Sequence, residues 1–421
     1  PFLRRLHPFL KRFRFLQESA HFLADASKYS LVLAQIYLYA ANMWPINFTS
    51  VRKTLFFTVI GIAILHLVSI LVYCYSYVKN VDTLAEVFQQ VDLGIQVLYK
   101  SSVVFRKSNR LSNLIHIVWY EFWPSNLFGG ELEEKIADDT KTVIVPILLE
   151  IIVAGIYSAI CLFLPLFAKS TLLLHEAWYP PGWDRNPMFK YAHIFKSFVA
   201  VYTDLGIICA YDLLYVILCT NCSAQFRLLC SAMELIGSGM EKDTVDDIQG
   251  DDNDIRNPSS HGTREEYEME LLSICVKHHQ KLIQFGDELN MIFGSGHFLQ
   301  LHTTLMGICL TSYLIASADN LIYIIFNIIY YVAHFWQLYV FCAASNQVSD
   351  SSVCVFDAAY GSKWYTKICK DITKCLIIIM IRSKSPITMN AFGLIVVNYV
   401  LFLTVMRFSF TLYTFLRTLA A

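Results

Sequence analysis

The run Met389–Leu416, MNAFGLIVVNYVLFLTVMRFSFTLYTFL, is the last long apolar stretch of the chain. As one helix its 28 residues rise about 42 Å, more than the roughly 30 Å of a bilayer core. Its polar residues are ordered. Thr404, Arg407, Thr411, Thr414 and Thr418 follow at spacings of three, four, three and four, which places them on one helical face. Unpaired polar groups are costly in hydrocarbon, so this face meets something wetter than lipid. Two readings fit it: a water-filled pathway, or a helix–helix interface joined by hydroxyls.

Around this stretch the composition is that of a polytopic membrane protein. Hydrophobic residues make up 56% and charged residues 16%, against about 25% charged in soluble domains, and the mean hydropathy is +0.47. A net charge of −1 gives no argument for a nucleic-acid partner. No nucleophile, phosphate loop or metal cluster appears at usable spacing, so the chain reads as no enzyme, with no cofactor and no metal site. Cys219 and Cys222 form a CxxC without a second ligand pair nearby, which reads as buried thiols. None of the twelve cysteines falls clearly in an outside loop, so no extracellular disulfide framework is expected.

The fold expected is all-α, with seven transmembrane helices at about Thr54–Tyr77, Val81–Val104, Thr142–Phe167, Ile194–Cys219, Phe293–Ser317, Asn320–Ala344 and Met389–Leu416. The second is interrupted by Asp82, Glu86, Gln89, Gln90, Asp92 and Gln96, and is kept because the span count and the charge balance need it. Lys and Arg set the orientation. With a cytoplasmic N-terminus, residues 1–53, 100–141, 223–290 and 345–388 carry 26 of the 33 basic residues, and the outside carries 5. That places the C-terminus outside. Asn47 and Asn221 then begin cytoplasmic sequons and stay unmodified.

The organisation expected is therefore a basic, aromatic N-terminal segment 1–53 at the membrane surface, with a short re-entrant or interfacial helix over Leu31–Trp44. Spans one to four follow over 54–222, and cytoplasmic helices over 223–292 flank an acidic disordered loop at 241–263. Spans five and six occupy 293–345, an anchor region 346–388, and the last span 389–421. The anchor region reads as a helical pattern with Trp364, Tyr365, Ile368, Ile372 and Leu376 on an apolar face. Such a face below the bilayer needs a partner, either its neighbours or another subunit.

Four motifs in the last third give the chain a family likeness. They are Cys275-Val-Lys-His-His-Gln-Lys-Leu-Ile-Gln-Phe285; Cys342 through Ser349 with Asp357-Ala-Ala-Tyr360 and Trp364-Tyr365; Arg382 with Pro386-Ile-Thr; and Ser409-Phe-Thr-Leu-Tyr-Thr-Phe-Leu416. With them the chain resembles an insect odorant receptor. Two departures are the three residues between Arg382 and Pro386, and Phe410 where Tyr is usual. A gustatory receptor of the same superfamily is the alternative, but its usual Thr–Tyr–apolar–Gln–Phe ending fits Ser409–Leu416 poorly. A G-protein-coupled receptor would need an outside N-terminus and motifs that are missing here.

The resemblance implies an odorant-gated, nonselective cation channel subunit in the plasma membrane of olfactory sensory neurons. It implies a tetramer with an odorant co-receptor, passing monovalent and divalent cations through a shared pore lined by span seven. Aligned on the Ser409 motif, the family's gate falls at Phe415 and Leu419, with Thr411 and Thr418 beside them and Arg407 on the same candidate pore face. The family pocket for a small volatile, enclosed by spans two, three, four and six, falls at Phe88, Val91, Gly155, Ser158, Leu162, Phe198, Tyr202, Tyr323, Phe326 and Tyr330. The aromatic and aliphatic character of this set fits apolar burial of an oily guest. Glu150, Asp204, Asp212, His66 and His334 are ionisable groups inside spans, read as paired structural groups or as relay groups.

Overall fold

A computed structural model of the chain describes residues 25, 27–77, 81–167, 178, 182, 189–238, 264–317, 321–365 and 369–420; side chains at 77, 81–82, 157–158, 160–167, 189–205, 264, 322, 326, 416–417 and 419–420 lie outside the description. Ten α-helices carry the described fold: α1 (Tyr29–Ala40), α2 (Ser50–Tyr77), α3 (Val81–Arg106), α4 (Ser108–His116), α5 (Gly130–Phe167), α6 (Phe189–Glu234), α7 (Arg264–Ser317), α8 (Leu321–Gly361), α9 (Lys370–Ser383) and α10 (Tyr399–Ala420). A two-stranded hairpin, β1 (Asn390–Ala391) and β2 (Ile395–Val396), precedes α10.

All seven expected spans are present as α2, α3, α5, α6, α7, α8 and α10, but several run far past the expected bounds. The bundle is organised around α6, whose closest packing is against α8 and α5, with α7, α3 and α1 completing the ring. Both α2 and α6 are apolar on every side, and such helices sit either in a protein core or in lipid. In Gly206–Glu234 of α6, 94% of the apolar window is buried within the chain, against 11% in Ser50–Ser76 of α2. The first is the core; the second faces outward. The bland hydropathy of α3, by contrast, hides a polar stripe directed inward.

Below the spans, the extensions of α5, α6, α7 and α8 pack with α9 around Phe226, Leu229, Met233, Leu272, Phe285, Val348, Val355, Ile372 and Leu376, all essentially buried. The apolar faces expected to need partners therefore find most of them within the same chain. Ile377, Ile378 and Ile381 of α9 stay exposed.

Three expectations need correction. The last span is not one helix from Met389. Residues 389–398 turn back on themselves through Phe392 and Gly393, both at positive φ (54° and 71°), and Val397 N–H returns to the Met389 carbonyl at 2.8 Å. The helix starts after Asn398, whose side chain accepts from Leu401 N–H at 3.0 Å and caps the helix. Its 22 residues still rise about 33 Å, enough to cross.

The helical pattern at 346–385 is broken after Gly361, with Trp364 and Tyr365 in the connection, Ile368 outside the described residues, and Ile372 and Leu376 buried on α9. The short helix expected at Leu31–Trp44 runs Tyr29–Ala40 and is buried against α6, with Leu31, Val32, Ala34 and Leu38 fully enclosed. Lys100, counted as a cytoplasmic loop residue, lies in the interior of the bundle, 1% exposed on α3. The acidic loop at 241–263 lies outside the described residues.

Candidate functional site

Three helices turn polar residues toward one another inside the bundle. On α8 the stripe is Tyr323, Asn327, Tyr330, His334 and Gln337, at spacings of four, three, four and three. On α7 it is Gln300, Thr304, Gly307 and Thr311, and on α3 Glu86, Gln89, Gln96 and Lys100. Rungs of hydrogen bonds join them. The Tyr323 hydroxyl donates to Glu86, and Gln89 Nε2 donates to Thr311 Oγ1 at 3.0 Å.

The lowest rung is a closed ring drawn from four helices. Lys100 Nζ donates to Asp212 Oδ1 at 2.7 Å and to Gln300 Oε1 at 3.0 Å. Gln337 Nε2 donates to Asp212 Oδ2 at 2.6 Å, and Gln300 Nε2 donates to Gln337 Oε1 at 2.7 Å. Every member is buried. The ring fixes both amide orientations, since reversing either would set donor against donor or acceptor against acceptor. A buried ion pair repays its desolvation only when further hydrogen bonds satisfy both partners, and here the two glutamines do so. Glu150 of α5 lies within electrostatic reach of Asp212 and Lys100.

The expected pocket residues are distributed as follows. Tyr323 is joined to span two through Glu86. Tyr330 stacks edge-on against His334, ring centroids 4.6 Å apart. Val91 packs beside Ile70 and Val87, between spans one and two. Phe88 is exposed, and Gly155 is exposed with nothing within 4 Å of the place a Cβ would take. The side chains of Ser158, Leu162, Phe198, Phe326 and Tyr202 lie outside the described residues, as does that of Asp204. The described members thus bring spans two and six together through Tyr323 and Glu86, whereas Gly155 of span three stands apart from them, and the side chains of the span-four members lie outside the described residues.

On α10, Val405 and Ser409 are buried against the bundle, while Thr404, Arg407, Thr411, Thr414, Phe415 and Thr418 are exposed. Each threonine hydroxyl returns to a carbonyl of its own helix: Thr404 to Val400 at 2.8 Å, Thr411 to Arg407 at 3.0 Å, Thr414 to Thr411 at 2.8 Å and Thr418 to Phe415 at 2.7 Å. Among the described residues they bond to no second helix of this subunit. Among the described residues Arg407 forms no ion pair. Leu419 has its side chain outside the described residues.

A second polar cluster lies in the inner assembly region. Gln225 Oε1 accepts from Trp123 N–H at 2.9 Å and Gln225 Nε2 donates to the Trp123 carbonyl at 2.8 Å, a two-point clamp between α6 and the loop after α4. His278 Nε2 approaches Gln225 Oε1 at 3.1 Å, and its ring stacks on Trp123 at 3.9 Å. Burial pushes the His278 imidazole down to about 3, with Lys281 adding to the effect, so it is neutral in the fold. Burial likewise lowers His279 to about 4. Cys219 and Cys222 are fully buried.

The interior ring was not legible as a unit in the sequence, although its signal was present. The three-four rhythm that marks span seven also runs through Tyr323 to Gln337. It does not disclose the ring because the groups that close it stand on other helices, 112 and 125 residues apart in sequence.

The chain has recognisable relatives. A family model described as 7tm Odorant receptor matches residues 80–410. Among curated proteins, the chain is 27% identical over 176 residues to putative odorant receptor 69a, isoform A, of Drosophila melanogaster, across 39% of this chain and 40% of that one. It is 25% identical over 146 residues to odorant receptor Or2 of Anopheles gambiae, across 35% of this chain and 38% of that one. The matched segments span about two fifths of these relatives' own length. In three dimensions the chain is similar to the insect olfactory receptor OR5 from Machilis hrabei in complex with eugenol, with a TM-score of 0.72, 14% identity, and coverage of 93% of this chain and 98% of that one. A further structure of that receptor gives a TM-score of 0.71 at 15% identity, covering 92% of this chain and 97% of that one. These likenesses show the seven-transmembrane all-α fold.

Proposed function

The chain belongs to the 7tm odorant receptor family, and from that premise we propose that it is an odorant-gated cation channel subunit. A small volatile enters a pocket between the outer halves of spans two, three, four and six, and binding opens a pore shared with co-receptor subunits. The N-terminus lies in the cytoplasm and the C-terminus outside, in the plasma membrane of an olfactory neuron.

The observation that carries this reading is the asymmetry of α10. One edge, Val405 and Ser409, is locked into the bundle, and the exposed remainder carries a stripe of hydroxyls and Arg407 beside apolar Val400, Leu403, Met406, Phe408 and Phe410, along the length of a membrane-crossing helix. A polar face bonded only to itself suits a wall along which water and ions pass, and Phe415 with Leu419 one turn on supplies a place where such a pore closes by dewetting. The eugenol complex of the similar receptor supports a small organic ligand here.

The test is co-expression in oocytes with and without an odorant co-receptor, recording current against an odorant panel. Odorant-evoked cation current that requires the co-receptor is the expected result. Responses that depend on G proteins, with no conductance of their own, would overturn the reading.

A further inference from the structure

His334 is an interior polar group that forms no hydrogen bond among the described residues. It is 4% exposed, and neither Nδ1 nor Nε2 has a partner. An imidazole offers one donor and one acceptor whichever nitrogen carries the hydrogen, and leaving both unmet away from water is unfavourable. His297 is also buried without a partner, but aromatic rings enclose it on two sides, Tyr215 at 4.6 Å and Phe341 at 5.3 Å, and it lies toward the inner half of the bundle.

His334 is placed differently. It stands one turn from Tyr330, at the lower edge of the proposed pocket, and three residues before Gln337 of the buried ring. Its ring tip is pressed onto the bare backbone of Gly307, where an added Cβ would collide with Nε2. That contact occupies the Nε2 tip of the ring and leaves Nδ1 as the other nitrogen able to form a hydrogen bond. Below it, Gln300, Gln337, Asp212 and Lys100 satisfy one another and offer His334 nothing.

Resting on the odorant-receptor reading, we propose that His334 is the polar recognition point of the pocket, and that the ligands of this receptor carry a hydroxyl or carbonyl that bonds to Nδ1. The class is a volatile with one hydrogen-bonding head and an apolar tail: an alcohol, a phenol or a small carbonyl compound. The head reaches His334 and the tail lies along Tyr330 and Tyr323. A pocket with a buried group built to bond such a head rejects an analogue lacking it far more strongly than it rejects a change of one methylene.

The experiment uses the full chain co-expressed with co-receptor, and pairs of probes that differ by a methyl group in place of a hydroxyl, such as linear alcohols and the matching alkanes. In the wild type the hydroxyl member is expected to act at concentrations lower by about tenfold or more. His334→Phe keeps the ring against Gly307 and is expected to bring that ratio close to one without weakening the hydrocarbon. His334→Gln, which retains a donor and an acceptor, is expected to keep the preference.

A ratio unchanged in His334→Phe, or loss of both probe types together in a variant that reaches the cell surface, would overturn the proposal. If that variant fails to reach the surface, the wild-type ratio decides alone, and a ratio near one overturns it. Absence of current to any odorant in the wild type is a different failure, and overturns the functional reading beneath it.

Discussion

Two helices of this molecule, α6 and α10, each carry a charge in an apolar stretch, and they treat it in opposite ways. On α6, Asp212 is enclosed on every side, paired with Lys100 and bonded to Gln337, so its requirements are met within one subunit. On α10, Arg407 is exposed and unpaired among the described residues, and the threonines beside it bond back to their own helix. The first helix is complete in the single chain. The second is completed by what lies outside it. The contrast separates parts that hold the subunit together from parts that serve the assembly, and each prediction presses on that division.

The largest effect is expected at the ring. Asp212→Ala leaves the Lys100 ammonium buried without its counter-ion, which costs about 3–5 kcal/mol. Little receptor should then reach the surface, measured by labelling an extracellular tag. The double change Lys100→Met with Asp212→Leu removes both charges and should recover much of the loss. Normal surface levels for Asp212→Ala alone would mean that the ring does not hold the bundle.

A smaller loss belongs to the inner assembly region. Gln225→Ala breaks the two bonds to the Trp123 backbone and the contact with His278, and should lower stability by about 2 kcal/mol, read as a fall in the melting temperature of the detergent-solubilised receptor. The same site confers a pH dependence whose sign follows from its neutral imidazole. His278 takes up a proton near 6.5 when unfolded but only near 3 in the fold, so the unfolded chain binds more protons between these values and stability falls as pH falls. Between pH 7 and pH 5 this removes about 2 kcal/mol, and His278→Gln should flatten part of the slope. His279, lowered to about 4, contributes in the same direction.

The smallest effect on stability is expected on α10, where the functional effect should be plain. Arg407→Gln removes a charge that holds nothing in the subunit, so surface levels should change by less than about 0.5 kcal/mol would produce. The relative permeability of divalent and monovalent cations should shift, seen as a displaced reversal potential. If Arg407→Gln instead depletes the receptor from the surface, the division between the two helices is wrong.

What could be read from the sequence follows the same line. Long apolar runs and the polar rhythm of span seven were legible because each is a property of one helix. The start of α10 was not, since apolar residues at 389–398 satisfy a hydropathy test equally well as hairpin or helix. Phe392-Gly393 and the capping Asn398 were the available turn and cap signals. Lys100 reads as a loop residue because a lysine at the end of a weak span resembles a flanking residue, and its partner lies 112 residues away on another helix. The pocket positions came through the family likeness, and none of their periodicities distinguishes a ligand wall from ordinary packing.

The claim on which this account turns is that the hydroxyl face of α10 borders the ion path. Single cysteines at Thr404, Thr411 and Thr418, and for comparison at Phe410 and Leu403, can be exposed to a charged, water-soluble thiol reagent while odorant-evoked current is recorded. Rapid, irreversible block at the three threonine positions and little change at the other two is the predicted result. Block at Phe410 and Leu403 with the threonine positions unaffected would contradict it.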